Sequence, residues 1–147
     1  MKTVLAKEAL TEVAASAVLG PGASAQALAR VRSAAAAAAG KLGQDIVAFD
    51  VSGRLSVTDV FLIVTGAVGR QAAAIVDAVE ERLRSEGAKP IACEGAQQSR
   101  WTLLDFGDLV VHVQLPEVRT LFALERLWGD CPRIDLELPA PAAAVDG

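Results

Sequence analysis

Apolar positions recur along the chain with two different rhythms, and these rhythms mark out its elements. Ser24 is a residue type whose hydroxyl accepts a hydrogen bond from a first helical turn. Beyond it, Leu28, Val31, Ala35, Ala38 and Leu42 recur every three or four positions, predicting a helix that Gly43 closes. The same rhythm at Ala72, Ile75, Val76, Val79 and Leu83 predicts a helix from about Arg70 to Glu86, stopped by Gly87 and Pro90. Between them, Asp45–Val51 and Val60–Val64 read as strands. The second is apolar at every position, the mark of a strand covered on both faces. Pro90–Glu94 is short and strand-like, and Arg100–Asp105 and Leu109–Leu115 flank Phe106-Gly107-Asp108 as the arms of a hairpin. In the second arm Leu109, Val111, Val113 and Leu115 share one face, which puts His112 on the other. Val118, Leu121, Phe122, Leu124, Leu127 and Trp128 predict a final helix from about Glu117 to Trp128, ended by Gly129. The order α–β–β–α–β–β–β–α predicts an α/β fold, a single domain in which helices flank a mixed sheet of about five strands.

The ends of the chain look different. Thr3 to Leu19 alternates Lys7, Glu8, Thr11 and Glu12 with Leu5, Ala9, Val13 and Ala17 in a helical pattern, and Gly20-Pro21-Gly22 breaks it. We therefore expect an N-terminal extension over 1–23, a domain over 24–132 and a flexible tail over 133–147. Lys7-Glu8 and Glu12 interrupt any signal-peptide core, and the Ala34–Ala39 run is too short to span a bilayer. The expectation is a cytoplasmic protein with no membrane partner, in which Cys93 and Cys131 stay reduced.

Composition narrows the function. The chain has 147 residues, 14 basic against 18 acidic, and a formal charge of -4, with one His and two Cys. One His excludes a multi-His metal centre within the chain, and two distant Cys exclude a zinc ribbon. The acidity is concentrated in residues 77–137, where twelve acidic residues face seven basic ones. Such a balance argues for little direct nucleic-acid binding and for a basic protein partner.

Candidate chemistry is sparse. Nucleophilic catalysis needs a nucleophile beside an oriented base, and His112 is the only imidazole. Thr65-Gly66-Ala67-Val68-Gly69-Arg70 follows a strand and opens a helix, a setting in which backbone N–H groups can hold phosphate. It lacks the Lys-Ser/Thr of a P-loop and the third glycine of a dinucleotide fingerprint. Asp50, Asp59, Asp105 and Asp108 offer carboxylates of the kind that bind magnesium. Together these define an alternative reading, a divergent nucleotidyltransferase-like enzyme. Trp101, Phe122 and Trp128, with His112 and Arg119, instead suggest apolar anchors beside charges, the composition of a binding patch.

Ordered motifs carry a resemblance. Asp45-Ile46-Val47, Asp50-Val51-Ser52-Gly53, Thr58-Asp59, Phe61, Thr65-Gly66, Arg70-Gln71 and Glu94-Gly95 come first. Arg100-Trp101-Thr102-Leu103-Leu104-Asp105-Phe106-Gly107-Asp108, Val110-Val111-His112-Val113 and Leu124-Glu125-Arg126-Leu127-Trp128-Gly129-Asp130 complete the set. Over about residues 25–132 the chain resembles the ribosomal silencing factor family, also called the Iojap family, and its Trp-Gly-Asp-Cys-Pro ending looks actinobacterial. The resemblance implies a nucleotidyltransferase-like topology without catalytic residues, no cofactor and no metal, and a homodimer. It implies binding to the large ribosomal subunit through that subunit's fourteenth protein, which blocks subunit joining and lowers translation when nutrients are scarce. Trp101, His112, Arg119, Phe122 and Glu125 are the partner-binding residues it implies. The chain departs from the family at Ala67-Val68-Gly69, at Leu115-Pro116, and at Phe122, where Tyr is usual.

Overall fold

In the computed structural model, residues 22–95 and 100–139 are described; the helix expected over Thr3–Leu19 lies outside them. Helix α1 (Ala25–Gly40) starts at Ser24, whose hydroxyl accepts the Ala27 N–H at 3.0 Å. It buries Ala27, Val31, Ala34, Ala35 and Ala38, small side chains that let the helix lie close to its neighbours. It ends in a Schellman turn, with Gly43 N–H on the Ala38 carbonyl and Leu42 N–H on that of Ala39. Leu42 takes the left-handed conformation there, at φ 64. Gly43, expected to close the helix by its backbone freedom, is needed instead for space: a Cβ on it would sit 2.8 Å from Val64.

Strands β1 (Gln44–Asp50), β2 (Val60–Thr65), β3 (Ala92–Glu94), β4 (Trp101–Asp105) and β5 (Leu109–Gln114) form one sheet in the order β1-β2-β5-β4-β3. Only β2 and β5 run parallel, so the sheet is mixed as expected. Helix α2 (Gly69–Ser85) lies within the crossover between them, and Gly87, at φ 90, ends it. β1 carries a bulge between Gln44 and Val47, and Asp45 within it adopts φ 49.

Period-two alternation divides the core between two faces. Val60, Leu62 and Val64 of β2 with Leu109, Val111 and Val113 of β5 meet α1 and α2. Phe61 and Ile63 with Trp101, Leu103 and Val110 form the second core, under two short helices, α3 (Pro116–Phe122) and α4 (Leu124–Leu127). Each large apolar side chain buried in this way contributes roughly 1.5–3 kcal/mol.

Two expectations change. The single helix expected over 117–128 is broken at Ala123, which sits at φ 47 and ψ 51. The tail expected to begin at 133 is laid along the open edge of β1: Asp50 N–H donates to Pro132 O and Ile134 N–H to Ala48 O. Arg32 Nε reaches Asp135 O at 3.0 Å, and Leu136 is buried against the first core. Those bonds satisfy strand-edge groups that would otherwise stay open, which moves the limit of the packed domain to about Leu138.

A candidate docking surface on the second face of the sheet

The five residues expected to meet a partner gather on the second face of the sheet. Trp101 starts β4, and its Nε1–H donates to Nδ1 of His112 on β5 at 3.1 Å, which requires that nitrogen to be unprotonated. The His112 ring stands edge-on to Phe61, 4.9 Å between centroids. Phe122, the last residue of α3, lies 4.8 Å from the Trp101 ring. Arg119 distributes its guanidinium over three elements. Nε binds Glu125 Oε1 at 2.8 Å, Nη1 binds Thr65 Oγ1 at 2.8 Å, and Nη2 binds the Asp45 carbonyl at 2.7 Å.

Accessibility separates these residues into two groups. Trp101 and Arg119 are each 8% exposed and His112 is 1%, so they support the surface from beneath. Phe122, 47% exposed, and Glu125, half-exposed, reach solvent. Leu121, at 75%, and Leu127 stand exposed on the same two helices. Leu121, Phe122 and Leu127 are thus exposed apolar side chains of α3 and α4, and Phe122 packs on the buried Trp101 ring. Burial alone would raise the Glu125 carboxyl, but Arg119's hydrogen bond and charge, with a backbone N–H and Arg133, outweigh it and leave it below its ordinary 4.5.

The residues of the alternative reading are engaged elsewhere. Asp50 Oδ2 accepts Ala23 N–H, and its Oδ1 accepts the Ser52 backbone and hydroxyl. Asp59 accepts Ser24 N–H, Asp105 accepts Gly107 N–H, and Asp108 pairs with Arg30 at 2.9 Å. These carboxylates hold the start of α1 and the hairpin turn. At the glycine corner, a Cβ on Gly66 would stand 2.8–2.9 Å from Ala72, so this glycine permits close packing of strand on helix. Gln71 Oε1 accepts the Ala67 N–H, and its amide donates to the Lys41 and Leu42 carbonyls. The motif joins elements together.

Residues 24–146 match the family described as ribosomal silencing factor during starvation, RsfS. The chain belongs to the ribosomal silencing factor family. It is 40% identical over 104 residues to ribosomal silencing factor RsfS of Bacillus subtilis, covering 71% of this chain and 88% of that one. It is also 32% identical over 88 residues to a mouse protein named mitochondrial assembly of ribosomal large subunit protein 1, covering 58% of this chain and 39% of that one. A crystal structure from Chromobacterium violaceum superposes with a TM-score of 0.67 at 32% identity, covering 76% of this chain and 92% of that one.

Within this RsfS-family chain, three residues outside the five expected partner contacts also shape the surface. Thr65 anchors Arg119, Leu121 presents the most exposed apolar side chain of α3, and Gln114 lies wholly buried beside Trp101 in the sheet register. Leu121 follows Val118 by three positions, yet α3 buries Val118 and Arg119 and leaves Leu121 facing outward. No periodic signal distinguishes it.

Proposed function

We propose that this chain binds the large ribosomal subunit through that subunit's fourteenth protein and sterically blocks joining of the small subunit, repressing translation under nutrient limitation. It acts in the cytoplasm as a homodimer, by occupancy and without turnover. The observation that carries the reading is the exposed Leu121, Phe122 and Leu127 on α3 and α4, with Phe122 packed on Trp101, in a silencing-factor fold. An apolar centre with charged residues at its edge is the usual anatomy of a protein interface. The acidic second half of the chain complements a basic ribosomal protein and speeds encounter with it.

Cosedimentation with purified large subunits, followed by a subunit-joining assay, tests this reading. Binding at micromolar concentration and slower joining are expected. A chain that stays in the supernatant, or that binds without slowing joining, removes the proposal.

A further inference from the structure

We propose that the groove between α2 and the β3–β4 end of the sheet is a binding site for an arginine side chain carried on an extended segment of a protein partner. The groove lies on the first face of the sheet, away from α3 and α4, and holds about 210 Å³. That is less than the roughly 300–1,000 Å³ of a pocket for a drug-sized ligand, and it suits a single side chain. Ala73 and Val76 of α2 supply an apolar wall, and Asp77 and Glu80 of the same helix line it beside them. Three positions apart on one helix, the two carboxylates are neighbours within reach of one shared ligand. Among the described residues neither has an ion pair or a hydrogen bond, and no basic side chain lines the groove.

The floor turns this acidic surface into a site. Trp101 and Leu103 of β4 face the second core, so Thr102 between them faces the groove. It is 7% exposed, and its hydroxyl has no hydrogen-bond partner among the described residues. Such a buried, unpaired hydroxyl is costly unless a ligand meets it. Cys93 stands opposite Leu104 and Glu94 opposite Leu103, and the next step of that register brings Gly95 toward Thr102. Gly95 lines the groove and has no side chain to cover the hydroxyl. A guanidinium suits the arrangement: its five donors lie in one plane, enough for both carboxylates and the Thr102 oxygen. Its alkyl stem would lie along Ala73 and Val76. An ammonium is a point charge and lacks that fork. The source of the side chain follows from β3, which ends the sheet and is paired with β4 alone. A segment added along its open edge places every second side chain on the first face, level with Cys93 and the groove.

The test follows backbone amide signals of the full-length, isotope-labelled chain by NMR during titration with three probes. These are the peptide acetyl-Thr-Val-Arg-Val-Thr-amide, the same peptide with citrulline in place of arginine, and agmatine, a free alkyl-guanidinium. Citrulline keeps the shape of arginine and loses its charge. The arginine peptide should move the amides of Asp77, Glu80 and Thr102 together with those of Ala92–Glu94. The citrulline peptide should bind about tenfold more weakly, and a chain carrying both Asp77→Asn and Glu80→Gln should lose arginine-peptide affinity by about the same factor. Thr102→Val should weaken binding while raising the urea midpoint of the chain, because it removes an unpaired hydroxyl from the interior. Equal binding of the arginine and citrulline peptides overturns the proposal, as does full binding by the doubly substituted chain. A Thr102→Val chain with a lowered midpoint and unchanged affinity overturns the role of the hydroxyl as the floor. Agmatine that binds as tightly as the arginine peptide, with Ala92–Glu94 unmoved by either, overturns the protein segment as the source. Amides that stay in place with all three probes at millimolar concentration remove the site altogether.

Discussion

Trp101 and Phe122 touch each other, but substitution should separate them cleanly. The Trp101 indole is buried, donates to His112 and packs in the second core, so truncation leaves a cavity and an unpaired imidazole nitrogen. Trp101→Ala is expected to cost about 3–5 kcal/mol of stability, measured by urea denaturation. Phe122→Ala removes a ring that is half in solvent and should shift the denaturation midpoint little. Its effect should appear in cosedimentation, as a loss of roughly 1–2 kcal/mol in binding large subunits. An equal loss of stability in both variants would place Phe122 in the core. Gly66→Ala makes the contrasting case of a residue that acts through space alone. A methyl group 2.8 Å from the Ala72 backbone forces strand and helix apart, and a destabilisation of about 1–3 kcal/mol is expected.

The broken helix has a pH signature of its own. Glu125 is held below its ordinary value in the folded chain, so its contribution is fully present above the unfolded-state pKa of about 4.5. It is lost as pH falls through the lower folded value. The wild-type chain should therefore be more stable than Glu125→Gln at pH 7, and the gap should close as pH falls below the lowered folded-state value of Glu125. A gap that persists there would mean that packing, not charge, holds the pair together. Elsewhere the local signals and the structure agree closely. Ser24 caps α1, Gly87 ends α2, and the alternation in β5 puts His112 opposite Val111 and Val113, as period two requires.

Across the whole molecule, the sheet has one edge at β3 and one at β1, and residues 132–134 cover part of the latter. Ending the chain after Cys131 should uncover the β1 edge and the pocket that Leu136 fills. Lower thermal stability and concentration-dependent self-association, seen by light scattering, are the expected results. A shortened chain that melts and scatters like the intact one would show that the edge needs no cover. The same stretch illustrates where local reading stops. Arg133 to Leu138 carries no strong periodicity, and what orders it is a row of backbone groups on a strand more than eighty residues earlier in the chain.

The amino-acid sequence alone determined the α/β class, the two long helices, the buried central strands and the family, because these depend on periodicity, caps and ordered motifs that act over a few residues. It also grouped five candidate partner-binding residues, and the structure places them on one face. Only the tertiary structure decided which of them are exposed, where the final helix breaks and where the packed chain ends. Between Pro116 and Trp128 the local pattern favours a straight helix with Leu121 and Phe122 inside. The observed break at Ala123 lets Glu125 meet Arg119, which also reaches Thr65 and the Asp45 carbonyl, groups 54 and 74 positions away. A long-range hydrogen-bonded charge outweighs a helix preference of a few tenths of a kcal/mol per residue.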